Sequence, residues 1–493
     1  MSLLRTAALS AALLAAACSE DDRPPAAGEG SCYGGLDCRV VEVPQVHGAP
    51  GGANIGLKVI IGHAAQGAGR APIIYLEGGP GGSVESAAQS GFVQSAANAL
   101  GRDFVLLEQR GNTLSKPALD CGITDATEPD PTIMKSCTSK YAQLGYRIET
   151  FNTIENAHDI DDVRRALGVP KVILWGGSYG GELAQTAARL HPDTIAGELL
   201  ESAAMSGRPY RPFEQTRAQP IKLAAFFTWL DEACKASSAC AGLMPNLDSA
   251  AELKQFQTTV ATKPFTVTPQ VVVDSASAAR FLVLITMYSI PNAVLVMRMM
   301  YAANHDELAA FDTLRVNDQS ARDYIAQIIA FASVNRTSNL IYDCYDTVLN
   351  WTDDGLKTAL DGLYSDAERP AVDAQLAASR AACAALPAAS VPQSELAVTT
   401  VTSVPTIFFH GGLDWPTPIE NVQSDMKNYS RSQLVAVPCA GHGIQSVMPT
   451  CFAKIASTFF GQVDDGTFNG AIDTSCSADF CRPGLDAPIF GGQ

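Results

Sequence analysis

The stretch KVILWGGSYGGELAQTAARL (171–190) decides the fold class of this chain. It begins with the apolar run VILW, passes through glycines on both sides of Ser178, and continues as a helix-like segment. Continuous apolar runs of four to six residues are typical of buried parallel strands. A strand, a glycine-flanked serine and a helix together match the G-x-S-x-G pattern, in which the serine occupies a sharp turn. The hydroxyl of Ser178 is therefore predicted to project from the edge of a sheet, where the helix dipole favours developing negative charge.

Other short apolar runs bounded by glycine or proline lie on both sides of this stretch, at 71–82, 103–111, 196–203, 404–412 and 433–441. Helix-like segments lie between them. Thr153 to Leu167 predicts a helix that starts at a Thr153 cap and stops at Gly168, because apolar residues recur near one face. Strands that alternate with helices predict an α/β fold with a parallel sheet.

The alternation is interrupted in the middle of the chain, which sets the predicted domain organisation. Residues 36–205 form the first part of an α/β core, and a β-hairpin is expected at its start. Residues 206–400 are rich in Ala, Leu and Met and predict an inserted helical cap. Residues 401–465 complete the core, and 466–493 form a C-terminal tail.

Composition narrows the class of protein. The chain has 493 residues, a formal net charge of −17 and 47% hydrophobic residues, which is typical of a soluble globular protein. An acidic chain is poorly suited to bind a phosphate backbone, so no nucleic-acid partner is expected.

The N-terminus resembles an export signal. Residues 1–17 (MSLLRTAALSAALLAAA) carry one arginine and an apolar run that is too short to span a bilayer. The sequence LLAAAC is similar to a bacterial lipoprotein signal, in which Cys18 would be the lipid-modified first residue; an ordinary secretory signal is the alternative. Residues 18–35 are then a flexible tether. The chain is thus expected in the cell envelope or secreted, with membrane contact only through a lipid anchor.

Cysteine usage agrees with export. The chain has thirteen cysteines, and twelve are left when Cys18 is set aside. In an oxidising compartment these would form disulfides. Pairing of sequence neighbours is the simplest hypothesis: Cys32/Cys38, Cys121/Cys137, Cys234/Cys240 and Cys476/Cys481. The other four are Cys344, Cys383, Cys439 and Cys451. No C-x₂-C pair occurs and the histidines are scattered, so neither a metal nor any other cofactor is expected.

A serine nucleophile needs a base, and the base needs an acid that orients it. His442 lies in the glycine-flanked loop AGHG after an apolar run, and Asp414 lies in the loop of TIFFHGGLDWPTP. The order Ser178, Asp414, His442 and three strand-end loops predict a catalytic triad. A structural histidine or a turn-forming aspartate is the alternative. Three other histidines follow Ser178: His191, His305 and His410.

The same arrangement requires an oxyanion hole. The backbone N–H of Tyr179 and that of Gly79, in the loop EGGPGG (77–82), are the predicted donors. A phosphate-binding loop is disfavoured because no Lys-Ser/Thr follows the glycines.

Several motifs carry a resemblance to a known family. EGGPGGS, EQRGNTLS, WGGSYGG, GGLDWPTP and GHG are similar, in this order, to the proline iminopeptidase and tripeptidyl aminopeptidase group of α/β-hydrolases. The resemblance covers roughly 38–205 and 400–460, and it implies the α/β-hydrolase fold. It also implies the triad roles given above and an oxyanion loop at Gly78–Gly81. Two positions depart from the family pattern: Glu77 replaces a frequent histidine, and Glu108 replaces an aspartate.

The resemblance implies removal of residues from peptide N-termini, with carboxylates that bind the α-ammonium group of the substrate. Candidates are Glu201, at the end of the run ELLES, and Asp343 and Asp346 in IYDCYD (341–346). The expected function is therefore that of an exported serine aminopeptidase acting on peptides or small acyl substrates through an acyl-enzyme. A carboxylesterase or lactonase with the same triad is the alternative, and a surface binding protein without turnover is a third reading.

Overall fold

The structure is a computed structural model, and it describes residues 30–49, 51–65, 69–124, 130–268, 271–307, 334–388, 395–396 and 402–481. The predicted signal 1–17, Cys18, most of the tether and the end of the tail lie outside these ranges.

Eleven strands lie in the described residues: β1 (Gly30–Cys32), β2 (Leu36–Pro44), β3 (Asn54–Gly62), β4 (Ile73–Leu76), β5 (Phe104–Leu107), β6 (Val172–Gly177), β7 (Ile195–Glu201), β8 (Phe265–Thr268), β9 (Val271–Val273), β10 (Thr406–Gly411) and β11 (Ser432–Val437). Nine of them form one sheet in the order β1-β2-β3-β5-β4-β6-β7-β10-β11. The first three pairs in this order, β1–β2, β2–β3 and β3–β5, are antiparallel, and β2–β3 is the predicted hairpin. All later pairs in the sheet are parallel. The predicted α/β fold is confirmed.

The α-helices in the described residues are α1 (Glu85–Gln89), α2 (Phe92–Leu100), α3 (Pro131–Gln143), α4 (Thr153–Ala166), α5 (Tyr179–Leu190), α6 (Arg211–Ala236), α7 (Ser238–Leu243), α8 (Ser249–Val260), α9 (Ala276–Thr286), α10 (Ile290–Asn304), α11 (Arg336–Asp346), α12 (Asp353–Leu360), α13 (Arg369–Ala384), α14 (Ile419–Asp425), α15 (Ile444–Val447), α16 (Pro449–Asp464) and α17 (Cys476–Asp479). In this part of the chain no helix combines the length and the apolar character that crossing a bilayer requires.

Helices cover both faces of the sheet. Successive strand residues point to opposite faces, so Leu174 of β6 packs with α4 and α5, whereas its neighbour Ile173 packs with α2 and α16. Because both faces are buried, the central strands read as continuous apolar runs in the sequence.

The chain between β7 and β10 adds a second apolar cluster. Side chains of α6, α8, α9 and α10 pack together there, and Leu413 and Trp415 from the loop after β10 join them. The ribbon β8–β9 was not predicted. Helix α11 lies inside the range predicted as cap, yet its Ile341 and Tyr342 pack in the same cluster as the sheet and α5.

Six disulfides lie in the described residues, which is compatible with an extracellular protein. Three follow the neighbour hypothesis, Cys32–Cys38, Cys121–Cys137 and Cys234–Cys240, and a fourth is Cys344–Cys383. The prediction of a Cys476–Cys481 pair is wrong, since Cys476 bonds Cys451 and Cys481 bonds Cys439. A helical turn lies between these two cysteines, and a rise of about 1.5 Å per residue would place their Cα atoms more than about 7 Å apart, too far for a disulfide.

Candidate active site

Ser178 occupies the turn between β6 and α5 with a strained backbone. Its φ of 53° and ψ of −122° lie in a region that residues other than glycine rarely adopt. Three backbone hydrogen bonds fix this conformation: the Ser178 N–H donates to Glu201 O (3.1 Å), and Ser178 O accepts from Gly181 N (3.0 Å) and Ala204 N (2.9 Å). The hydroxyl is thereby held at the carboxyl edge of the sheet, as the sequence pattern predicts for a nucleophile.

The glycines around Ser178 are required by close backbone contacts. A Cβ on Gly180 would clash with Leu76 O, and one on Gly176 would clash with Gly180 O. A Cβ on Gly78 would lie 2.9 Å from the Cβ of Ser178. The loop after β4 therefore lies directly against the nucleophile turn, where an oxyanion hole has to be.

Asp414 and His442 are joined by a hydrogen bond. His442 Nδ1 lies 3.0 Å from Asp414 Oδ2 and 3.1 Å from Oδ1, and Asp414 is fully buried. Burial by itself would raise the pKa of Asp414, but the charge and the hydrogen bond of His442 hold it below its ordinary value. The ionised acid can thus orient the imidazole and stabilise its protonated form.

Thr417, which the sequence reasoning missed, holds Asp414 in place. Its backbone N–H donates to Asp414 Oδ1 (2.9 Å) and its hydroxyl contacts Oδ2 (2.8 Å) and Ser202 O (2.8 Å). An aspartate followed three residues later by a hydroxyl residue is typical of a side-chain-capped turn, and DWPT carries that signal.

Two residues of the inserted region contact the loops of Asp414 and His442. The ring of Tyr288 packs edge-on against the imidazole of His442 with centroids 4.6 Å apart, and its carbonyl accepts from Gly443 N (3.0 Å). The indole of Trp415 donates to Leu284 O (2.8 Å). In the described part of the chain no hydrogen bond joins Ser178 Oγ to His442; such bonds are often long before substrate binds.

The predicted oxyanion donors border the nucleophile. Gly79 has a φ of +118°, which glycine tolerates, and Tyr179 is the first residue of α5. Within the described residues neither backbone N–H has an acceptor. The neighbouring Gly78 N–H donates to the carboxylate of Glu77 (2.8 Å), and burial raises the pKa of that carboxyl.

Helix α11 holds the oxyanion loop from outside. Asn335 N donates to Gly81 O (2.9 Å), and the amide of Asn339 donates to Pro80 O (2.9 Å). Glu108, at the second departure from the family pattern, accepts from Val84 N and Leu114 N (2.9 Å each) behind this loop. Burial raises the pKa of Glu108 to about 7.

The three carboxylates predicted to bind an amine differ in their surroundings. Glu201 accepts from Gln445 N (2.8 Å) in the segment that follows His442. Asp346 accepts from the hydroxyl of Thr153 (2.6 Å), which also contacts the hydroxyl of Tyr179 (2.6 Å). Burial raises the pKa of Asp346 to about 8. The carboxylates of Glu201 and Asp346 therefore already accept hydrogen bonds from other residues of the protein.

Asp343 is the most accessible of the three. Its side chain is 41% exposed and lies 4.0 Å from Arg211, which forms an ion pair with the buried Glu182. Surrounding protein raises the pKa of Asp343 to about 6, so the group is both desolvated and reachable.

The other histidines have structural partners. His410 is fully buried, hydrogen-bonds Thr417 O, and lies 3.6 Å from Asp414 Oδ2. His191 hydrogen-bonds the ring of His158 (2.9 Å), and His305 pairs with Glu252 (2.9 Å).

One group of potential metal ligands lies close together among the described residues: His47, Asp159 and Asp162. Both carboxylates have cationic partners, because Asp159 accepts two hydrogen bonds from Arg110 and Asp162 lies 2.5 Å from Arg165. The three side chains therefore belong to a network of ion pairs that includes Arg110 and Arg165.

Comparison with known proteins places the chain in a large family. The sequence profile of the family described as alpha/beta hydrolase fold matches residues 71–449. A tripeptidyl aminopeptidase of Streptomyces coelicolor is 28% identical over 194 residues, 35% of this chain and 36% of the relative. A proline iminopeptidase of Arabidopsis thaliana is 26% identical over 129 residues, 26% of each chain. The resemblance predicted from the motifs is confirmed, although the matched stretch spans only about a third of the length of the first relative.

Among solved structures, a proline iminopeptidase of Mycobacterium smegmatis aligns over 87% of this chain and 99% of its own, with 15% identity and a TM-score of 0.41.

Proposed function

The chain belongs to the α/β-hydrolase fold family, and from this premise we propose that it is a serine aminopeptidase that uses Ser178, His442 and Asp414. The observation that carries the proposal is the strained turn of Ser178 beside the loop after β4, together with the hydrogen-bonded pair of Asp414 and His442 at the same edge of the sheet.

In the proposed reaction, His442 Nε2 takes the proton of Ser178 Oγ as the oxygen attacks the scissile carbonyl carbon. The tetrahedral intermediate collapses when the imidazolium gives this proton to the leaving amine, and the C–N bond breaks. Water then attacks the acyl-enzyme with His442 again as base, which releases the acid and restores the serine. Asp414 keeps its charge throughout and orients the ring.

The negative charge of the tetrahedral intermediate needs backbone donors. The N–H groups of Gly79 and Tyr179 are free of protein acceptors in the described residues, and Tyr179 starts a helix whose dipole favours an anion. A protonated Glu77 would suit the oxyanion loop, because an ionised carboxylate beside Gly78 would repel the negative charge of the intermediate.

The similarity to the tripeptidyl aminopeptidase and the proline iminopeptidase supports a peptide with a free N-terminus as substrate. Asp343, which is surrounded by protein and still accessible, is the carboxylate we propose for the α-ammonium group, since one desolvated ion pair discriminates strongly against a blocked amine. A carboxylic ester or lactone is the second candidate, because the same triad supports both reactions.

We also propose that the protein acts outside the cytoplasm. Six disulfides in the described residues support this location, as does the signal-like sequence 1–17 with Cys18 as the proposed lipid attachment site.

The experiment compares the wild-type protein with Ser178→Ala on tripeptidyl and aminoacyl p-nitroanilides with free amines, on their N-acetylated forms and on p-nitrophenyl esters. We expect kcat/KM for the free-amine anilides to fall at least ~10³-fold in the variant. Ser139→Ala, on an exposed face of α3, is the matched control and should retain full activity. Turnover of esters alone would support the esterase reading, and no turnover of any substrate would contradict a hydrolase.

A further inference from the structure

Glu201 and Ser202 lie at the point where the loops of the three proposed catalytic residues meet. Glu201 ends β7 and pairs with Gly177 of β6 on one side and with Phe409 of β10 on the other. It therefore lies between the strand that leads to Ser178 and the strand that leads to the loop of Asp414.

Each loop has its own contact with this dipeptide. Glu201 O accepts the backbone N–H of Ser178 (3.1 Å), and the carboxylate of Glu201 accepts the N–H of Gln445 (2.8 Å), three residues after His442. Ser202 O accepts from the hydroxyl of Thr417 (2.8 Å), which also holds Asp414. Two adjacent residues thus bridge the nucleophile, the base and the acid.

The backbone at this point is strained, which indicates that its conformation is held by these contacts. Ser202 has a φ of +46°, and its N–H donates to Phe409 O (2.8 Å). Its own hydroxyl is buried without a partner in the described residues. Ser178, which follows the neighbouring strand β6, also has a positive φ. Two strained serines therefore lie at the ends of adjacent strands.

Glu201 is a carboxyl held within the protein. Burial raises its pKa, whereas the N–H groups of Gln445 and Ile444 and the positive charge of His442 lower it. The contacts with Ile444 and Gln445 link this carboxyl to the segment that follows His442.

We propose that Glu201 is a positioning residue that holds the loop of His442 against the turn of Ser178. This inference rests on the proposed function and changes the role predicted for Glu201 from amine ligand to support of the base. The carboxylate of Glu201 accepts from Gln445 N and its backbone carbonyl accepts from Ser178 N, and these two contacts account for the role.

The test removes the side-chain acceptor and then restores it. Glu201→Ala removes the acceptor for Gln445 N, whereas Glu201→Gln keeps an oxygen at this place. Glu198→Gln, three residues earlier on the same strand, is the control because it changes a buried carboxyl that accepts from Thr406 and not from the loop of His442.

The measurements are kcat and KM on the best substrate and the rate at which a fluorophosphonate labels Ser178, with circular dichroism to verify folding. We expect Glu201→Ala to lower kcat and the labelling rate about 10²-fold with little change in KM. Glu201→Gln, which keeps the acceptor for Gln445 N, should recover most of both rates. Glu198→Gln should match the wild type.

The outcomes distinguish this inference from the proposed function. If Ser178→Ala abolishes turnover but Glu201→Ala leaves kcat and the labelling rate unchanged, the inference is wrong and the proposed triad stands. If Glu201 variants raise KM only for free-amine substrates, Glu201 binds the amine and the inference is equally wrong. If the wild-type protein neither turns over a substrate nor reacts with the fluorophosphonate, both fail together.

Discussion

Because Glu198 is buried in the sheet, the stability of the fold depends on whether this carboxyl is protonated, and so on pH. It is fully buried in β7, one carboxyl oxygen accepts from the hydroxyl of Thr406 (3.1 Å), and the other has no partner in the described residues. Burial raises its pKa to about 7, so the folded protein keeps a proton that the unfolded chain releases near pH 4.5. The stability associated with this proton is fully present below pH 4.5 and is lost as the pH rises through 7.

We therefore expect Glu198→Gln to stabilise the protein at pH 8 relative to the wild type, by about 3 kcal/mol more than at pH 4.5, because the amide does not ionise. Urea unfolding at the two pH values with the disulfides intact measures this difference. An equal effect of the substitution at both values would show that Glu198 does not titrate in the folded state.

For single residues of the candidate site, the sequence predicted some and missed others for physical reasons. Ser178, Asp414 and His442 follow apolar strands, and the carboxyl ends of parallel strands meet at one edge of a sheet, so their location at a common edge could be predicted. Thr417 left a weak turn signal. Tyr288 left none, because its contact with His442 depends on how the inserted helices pack.

Helix α4 and the turn between β2 and β3 are joined by an ion-pair network around one histidine. His47 lies 2.6 Å from Glu155 and 3.0 Å from Asp162, and its side chain is only 13% exposed. Burial by itself lowers the pKa of His47, but the two carboxylates raise it to about 9. A histidine with a raised pKa stabilises the fold fully below pH 6.5, and that contribution is lost as the pH rises through 9.

His47→Gln should consequently destabilise the protein by on the order of 2 kcal/mol at pH 6, and much less at pH 10. Thermal unfolding of both proteins across this range measures the loss. His63→Gln is a suitable control, because His63 also contacts two carboxylates, Asp37 and Asp103, but is 54% exposed, so its ion pairs are screened by solvent. A pH-independent difference for His47→Gln would show that only packing was lost.

The same helix shows how far local patterns predict an element. The sequence predicted a helix from Thr153 to Leu167, and α4 runs from Thr153 to Ala166. The cap, however, is Asn152, whose side chain accepts from Glu155 N (3.0 Å). Thr153 instead contacts Asp346, 193 residues away, and no local pattern predicts a contact at that separation.

At the scale of the whole molecule, two disulfides link the C-terminal segment to the core, and each closes a few tens of residues of chain. Cys439–Cys481 closes a span of 42 residues, and Cys451–Cys476 closes one of 25. Pairings over such distances depend on where α16 returns along the sheet, which is why the neighbour hypothesis failed here. By the loss of entropy in the unfolded chain, each disulfide is expected to stabilise the fold by about 4 kcal/mol.

These two bridges should differ in their effect on catalysis. Cys439 is buried three residues before His442, whereas Cys451 lies within α16, behind the sheet. We expect Cys439→Ser/Cys481→Ser and Cys451→Ser/Cys476→Ser to lose comparable stability, but only the first to lower kcat/KM, by about 10-fold, because it frees the segment that carries His442, the proposed base. Active-site titration combined with kcat/KM at a temperature where both variants are folded makes the comparison. Equal activity of the two variants would mean that the strand ends and Glu201 position His442 without the disulfide, and that the C-terminal segment stabilises the fold alone.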